Sequence, residues 1–404
     1  MRMKSRFVLA GFIGLFAVIL NSCATSKNTI TTPTTGFMWV TTQGDQKVTS
    51  YNINLTTGAA SQVGSSVATG LGPIAIALTP AGDALFVANR DDDTISSYSL
   101  NSDGSLPNPC PSPKPTNCNT VPAGPVAGTP LALAVDPSGK FLFVANQASQ
   151  SVFPPPNTPD TVAVFSIQGT ALTPCPACAF ASTGNGPAAL LASPTGNFLY
   201  VANQFTSTVS ILSYDSTGTL NQDATSPVTV GTNPTGLALS RCAGTTTATT
   251  DCPTTAPPGY LLVANTGSNN ISVFSACIQV TTACPSANGT LTQIAGSPVG
   301  AGNGPVSFLI SPARDLVYAV DNGSFQVSEY KYGSATGALT ALSPATVSTG
   351  ASPLSGGITS DGNWVFIPNN GGSSLSAYGI GTAGQFNVGT AITLLGQPSA
   401  VLIR

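Results

Sequence analysis

A motif repeated seven times constrains this chain more than any other feature. A strand-like pentapeptide recurs at 38–42, 85–89, 142–146, 199–203, 261–265, 317–321 and 365–369, and four copies end in Val-Ala-Asn. Nine residues after its last position stands Tyr51, Tyr98, Leu212, Phe274, Tyr330 or Tyr378; only the third copy breaks the spacing, reaching Phe165 after an insertion. A fixed period marks one supersecondary unit that buries its apolar faces against its neighbours. A second motif gives the same count. A proline opens a short apolar run at Pro73, Pro130, Pro187, Pro234, Pro305, Pro353 and Pro398. Six runs precede a pentapeptide. The seventh, 398–404, has none after it, and the first pentapeptide has no run before it. The two orphans complete each other.

That pattern predicts an all-β chain, a seven-bladed β-propeller closed by its C-terminal strand pairing into the first blade. Each blade reads as four antiparallel strands. The proline run is strand a, the pentapeptide strand b, the run near Val-Ser-x-Tyr strand c, and the segment after Gly-x-Leu strand d. Turns such as Pro-Ser-Gly-Lys at 137–140 and Ser-Asp-Gly-Asn at 360–363 separate them. Small residues (Ala75, Ala77, Ala132, Ala134) suit crowded inner strands. The blades run longer than the usual ~40–45 residues, so the excess lies in loops. The domains are expected to be a signal peptide at 1–22, a lipidated cysteine and flexible tether at 23–36, and the propeller at 37–404.

The Leu-Phe-Val-Ala-Asn copies, the following Val-Ser-x-Tyr and the Pro-Ser-Gly turns resemble those of the seven-bladed lactonase-like propellers. That family includes 6-phosphogluconolactonase-type and YVTN-repeat proteins. The resemblance covers nearly all of the chain after the signal and implies architecture rather than activity, because these residues are scaffold. It also implies that lactone-handling members work through inward His, Glu and Arg side chains.

Arg2, Lys4 and Arg6 precede an apolar stretch at 7–20, too short to span a membrane comfortably. The following Leu20-Asn21-Ser22-Cys23 resembles the lipobox of bacterial lipoproteins, which implies cleavage before Cys23 and its lipidation. With Ala24 after it, the resemblance implies transfer to the outer membrane. Several acyl chains anchor durably where one does not. A lipid-anchored envelope protein is therefore expected. The other eight cysteines form local pairs: Cys110 with Cys118, Cys175 with Cys178, Cys242 with Cys252, and Cys277 with Cys284. An oxidising compartment favours disulfides at these positions. Zinc and a redox role for the Cys175–Cys178 pair are the alternatives, disfavoured by the lack of histidine and of a thioredoxin-like context.

Charged residues make up only 7% of the chain, with a formal net charge of −3 and no histidine. No basic patch points to nucleic acid. The absence of histidine removes Ser-His-Asp and Cys-His nucleophilic sites. Glu329 is the one glutamate, and it matches no family position, so no catalytic residue, cofactor or metal is assigned. The asparagines ending strand b are read as closing turns into strand c. Arg90-Asp91-Asp92-Asp93 in the second blade's b–c turn, and Phe153 in the Pro-rich loop at 147–160, mark a candidate binding face formed by b–c and d–a loops. Trp39 and Trp364 are read as packing near the closure. Two functions follow: a monomeric binding or scaffold module for an envelope protein or glycan, or a lactone hydrolase.

Overall fold

The structure is a computed structural model. It describes residues 35–107, 120–124, 128–148, 160–175, 178, 181–182, 184–240, 259–278, 280, 284, 286–389, 391–394 and 396–404. These form seven antiparallel sheets of four or five strands and a single 3₁₀ turn, Asn370–Gly372. The second blade shows the plan: strand a is Pro73–Leu78, b is Ala84–Asn89, c is Thr94–Ser99 and d is Thr120–Pro122.

The burial gradient explains the repeat. Strand b is covered on both faces by neighbouring blades, so it must be apolar at every position. Leu85, Phe86, Val87 and Ala88 are all fully buried. The outermost strand faces water, and Leu339–Ser348 in the sixth blade is mostly exposed. Strand a carries its proline beside a register shift, as between Pro73 and Ala75 or Pro305 and Ser307. Proline cannot donate to the ladder, and a bulge is where a sheet tolerates it.

The first blade is built from both ends of the described chain. Strand b, Thr35–Thr42, pairs with the closing strand Pro398–Ile403 in the register Met38 to Ile403, Val40 to Val401 and Thr42 to Pro398. The orphan motifs thus join as the sequence predicts. Seven apolar clusters then fill the seven seams. One cluster joins Val40 and Val401 of the first blade to Phe366 and Leu375 of the seventh, which closes the ring. Each fully buried aliphatic or aromatic side chain contributes about 1.5–3 kcal/mol.

Polar caps on aromatic rings hold the seams in register. Trp39 Nε1 donates to Gly104 O of the second blade at 2.9 Å, and Trp364 Nε1 to Leu55 O of the first blade at 2.9 Å. Tyr200, Tyr260 and Tyr318 do the same to Gly289, Ala335 and Gly384 of the blade that follows. From strand c, Tyr98, Tyr330 and Tyr378 reach back to Ala68, Gly300 and Ser348 of the blade before. The two tryptophans therefore sit at the closing blades, each fixed to its next neighbour.

Two local departures from the expected blade have physical causes. In the third, fourth, fifth and seventh blades strand d is split into two short pieces that pair with strand c separately. In the fourth and fifth, a Ser-Pro lies between the pieces, and Ser226 Oγ and Ser297 Oγ accept from Ile211 N and Val273 N at 2.9 and 2.8 Å. The hydroxyl takes the place of a ladder carbonyl. In the seventh blade, strand a shrinks to Gly357–Ile358 plus a bridge from Pro353 to Asn369. A Cβ on Gly357 would lie 2.6 Å from Ile403, so the closing strand occupies that space.

Candidate functional site at the channel mouth

The b–c turns and the d–a segments meet on one face of the ring, as expected. In six blades the b–c turn has four residues, at 43–46, 90–93, 204–207, 266–269, 322–325 and 370–373. Its last residue is left-handed each time, with φ from 44° to 55°. Its first residue donates its backbone N–H to the segment leading into strand a: Arg90 to Gly72 O, Gln204 to Gly186 O, Thr266 to Asn233 O and Asn322 to Gly304 O, at 2.7–3.0 Å. Gln43, Arg90, Gln147, Gln204, Thr266, Asn322 and Asn370 hold this first position in the seven blades, and all are half-buried. They form a collar of amides and a hydroxyl in which Arg90 is the only ionisable group.

Several collar side chains clasp the next blade. Thr266 Oγ1 donates to Pro305 O at 2.7 Å, Asn322 Nδ2 to Pro353 O at 2.9 Å, and Asn370 Nδ2 to Pro398 O at 3.2 Å. Ser399 Oγ continues the pattern to Pro73 O at 2.5 Å. The strand-b asparagines lie beneath. Asn89 Nδ2 donates to Thr94 Oγ1 and Ser96 Oγ at 3.0 and 2.9 Å, and Asn203, Asn265 and Asn369 repeat this on their own strands c. They are fully buried, so they tie strand b to strand c and present nothing to solvent.

The Arg90-Asp91-Asp92-Asp93 turn lies on this face, but its carboxylates do not converge. Asp91 pairs with Arg90 Nε at 2.8 Å. Asp92 accepts Leu71 N at 2.9 Å and Thr94 Oγ1 at 2.7 Å. Asp93 is the left-handed residue, and its carbonyl accepts Ala123 N. Among the described residues no group of three His, Cys, Asp or Glu converges as a metal site. Exposed Leu71, Phe205 and Phe325 share the face. Cys23, Phe153, Cys110, Cys118, Cys242 and Cys252 lie outside the described residues. The disulfides Cys175–Cys178 and Cys277–Cys284 are formed, with Cα separations of 5.2 and 5.7 Å.

One residue escaped the sequence reading. Asp321 stands where five other blades carry asparagine, and it is fully buried. Its neighbours are rearranged to suit: Ser328 Oγ donates to Asp321 Oδ2 at 2.6 Å, and Gln326 stands where the asparagine-bearing blades carry Thr, Asn or Ser. Burial pushes its carboxyl up to about 6, opposed by the Ser328 and Gln326 hydrogen bonds. The paired change of Asn to Asp and Thr to Gln five residues later is the signal that could have marked it. Glu329, also buried, accepts Phe386 N of the seventh blade at 2.9 Å, and burial raises its pKa. It belongs to the seam between blades six and seven rather than to the mouth.

The family model for lactonase, a seven-bladed β-propeller, matches residues 23–116, 157–279 and 275–397. The chain belongs to this seven-bladed lactonase propeller family. Solved structures agree in fold. A proposed 6-phosphogluconolactonase from Bacteroides fragilis aligns with a TM-score of 0.71 at 17% identity, covering 93% of this chain and 98% of its own. The periplasmic gluconolactonase of Pseudomonas aeruginosa aligns at 0.69 and 18% identity, covering 91% and 99%. A functionally unknown protein from Desulfotomaculum acetoxidans aligns at 0.65 and 13%, covering 91% and 98%. No curated protein matches the sequence.

Proposed function

We propose that this chain is a non-catalytic binding propeller of the bacterial cell envelope. It is anchored in the outer membrane through lipidated Cys23, acts as a monomer without a cofactor, and engages an envelope protein or glycan through its collar face. One observation carries the reading. The described inner strands, from Pro73–Leu78 round to Pro398–Ile403, contain no ionisable side chain, and the collar's one charge, Arg90, is already paired with Asp91. Lactone opening requires a group that moves a proton within about 2.6–3.2 Å of the substrate. Amides and hydroxyls instead supply paired donors and acceptors for a neutral polar ligand.

Family membership and Asp321 favour a second reading, a lactone hydrolase. A carboxyl near about 6 is poised for acid–base work, although Asp321 is fully buried. The test is hydrolysis of sugar and aliphatic lactones by purified protein lacking residues 1–22. The binding reading expects turnover at background. Turnover well above background and abolished by Asp321→Asn replaces it with the hydrolase.

A further inference from the structure

On the face opposite the collar, the seam between the third and fourth blades opens into a cleft of about 580 Å³. Three turns form it: the a–b turns at 136–141 and 194–197, and the end of strand c with its turn at 214–216. Its floor holds an unusual group. Tyr214 is 6% exposed, and its hydroxyl has no protein partner. Tyr98, Tyr200, Tyr260, Tyr318, Tyr330 and Tyr378 all cap backbone carbonyls. A buried, unpaired hydroxyl destabilises a fold and calls for an explanation. The ring is fixed in place by Phe143 at 4.8 Å and by Tyr214 N donating to Asn197 O at 3.0 Å.

The walls are equally fixed. Asp136, 3% exposed, accepts Phe141 N on Oδ1 at 2.7 Å and Ser138 N on Oδ2 at 3.0 Å. At the rim, Asp215 Oδ1 accepts Thr217 N, Thr217 Oγ1 and Thr219 N. The Cys175–Cys178 disulfide braces the same turn, with its sulfurs 3.5 and 3.4 Å from Thr217 O. Lys140 and Asn197 are exposed at the opening.

We propose that this cleft is a second binding site, for the end of a neutral saccharide. The site sets the exposed carboxylate of Asp215 as acceptor beside donors (Tyr214, Lys140, Asn197), with Asp136 held in the wall by its own turn, which matches the paired hydroxyls of a sugar. Two carboxylates against one ammonium disfavour a phosphate or carboxylate ligand. An apolar ligand would leave the floor hydroxyl unpaired. The volume suits one or two sugar units, and the braced turns lower the ordering cost of binding.

The test is saturation-transfer NMR and calorimetry on the protein from residue 23 onward. The probes are glucose, galactose, N-acetylglucosamine, cellobiose and maltose, with glucose 6-phosphate as anionic comparator. At least one neutral sugar is expected to bind. Tyr214→Phe should weaken it roughly ten-fold, about 1.4 kcal/mol, without lowering the melting temperature; Asp215→Asn, which keeps the Oδ1 acceptor of the turn, should weaken it by a similar factor, while Arg90→Ala leaves it unchanged. Absence of binding by every neutral sugar overturns the proposal. So does tighter binding of glucose 6-phosphate, or equal affinity in the Tyr214 and Asp215 variants.

Discussion

The side-chain amide of Asn370 donates to the carbonyl of Pro398 at 3.2 Å, tying the seventh blade's turn to the first residue of the strand that closes the ring. The contact joins two motifs that lie at opposite ends of one logic: the turn that follows the last pentapeptide and the proline run with no pentapeptide after it. Removing that amide should cost little, because a single neutral hydrogen bond contributes only about 0.5–1.5 kcal/mol net. Asn370→Ala is expected to fall in this range by urea denaturation.

Truncation after Gly396 removes the whole closing strand, including buried Ala400 and Val401. It strips one edge of the first blade and uncovers the cluster shared with the seventh. The melting temperature should fall by more than about 5 °C. An unchanged melting curve would refute the closure.

Asp321 makes stability depend on pH. Its folded pKa of about 6 lies above the unfolded value of roughly 3.9. The unfolded chain therefore loses its proton first. The favourable contribution is complete below about pH 4 and is lost as pH rises through about 6. Asp321→Asn should stabilise the protein by up to about 3 kcal/mol at pH 8 and hardly at all at pH 4. The new amide can donate to Ser328 as its counterparts do in other blades. Part of the slope should remain, because buried Glu329 shifts in the same direction. Paired urea titrations at the two pH values check both the sign and the remainder.

Non-reduced peptide mapping should recover Cys175 with Cys178 and Cys277 with Cys284, as the structure has them. The same map tests Cys110 with Cys118 and Cys242 with Cys252. Free thiols in protein taken from the envelope would count against pairing.

Cys23→Ala should move the protein from the membrane to the soluble fraction after cell breakage, since the thiol is the proposed site of acylation. Continued sedimentation with membranes would show that something other than a lipid holds it there.

Blade number, strand order and closure were legible in the sequence because each blade must bury strand b on both sides, which writes Leu-Phe-Val-Ala-Asn into the chain repeatedly. The splitting of strand d was not legible. In the fourth and fifth blades it goes with Ser226 and Ser297 replacing a ladder carbonyl, and no local pattern distinguishes such serines from surface ones. The site was read only in outline. The face was identified from loop lengths, yet Arg90 to Asp93 marked it by charge, whereas the collar is mostly neutral amides such as Gln204 and Asn322. Asp321 was hidden as an apparently conservative variant of asparagine. Tyr214 gave no signal at all, because an unpaired hydroxyl is a property of three-dimensional surroundings.

The interlock between blades is uneven. Most c–d turn glycines sit against a large side chain at the start of the previous blade's strand b: Gly104 against Phe37, Gly218 against Phe141, Gly289 against Phe198. At the joint between the second and third blades that side chain is only Ala84, and Gly169 has no neighbour within 4 Å of where a Cβ would stand. A ring under load parts at its loosest joint. Thermal breathing should therefore begin there, with amides along Ala171–Pro174 exchanging with deuterated water ahead of those at the other seams, and a protease should find its first purchase on the same side.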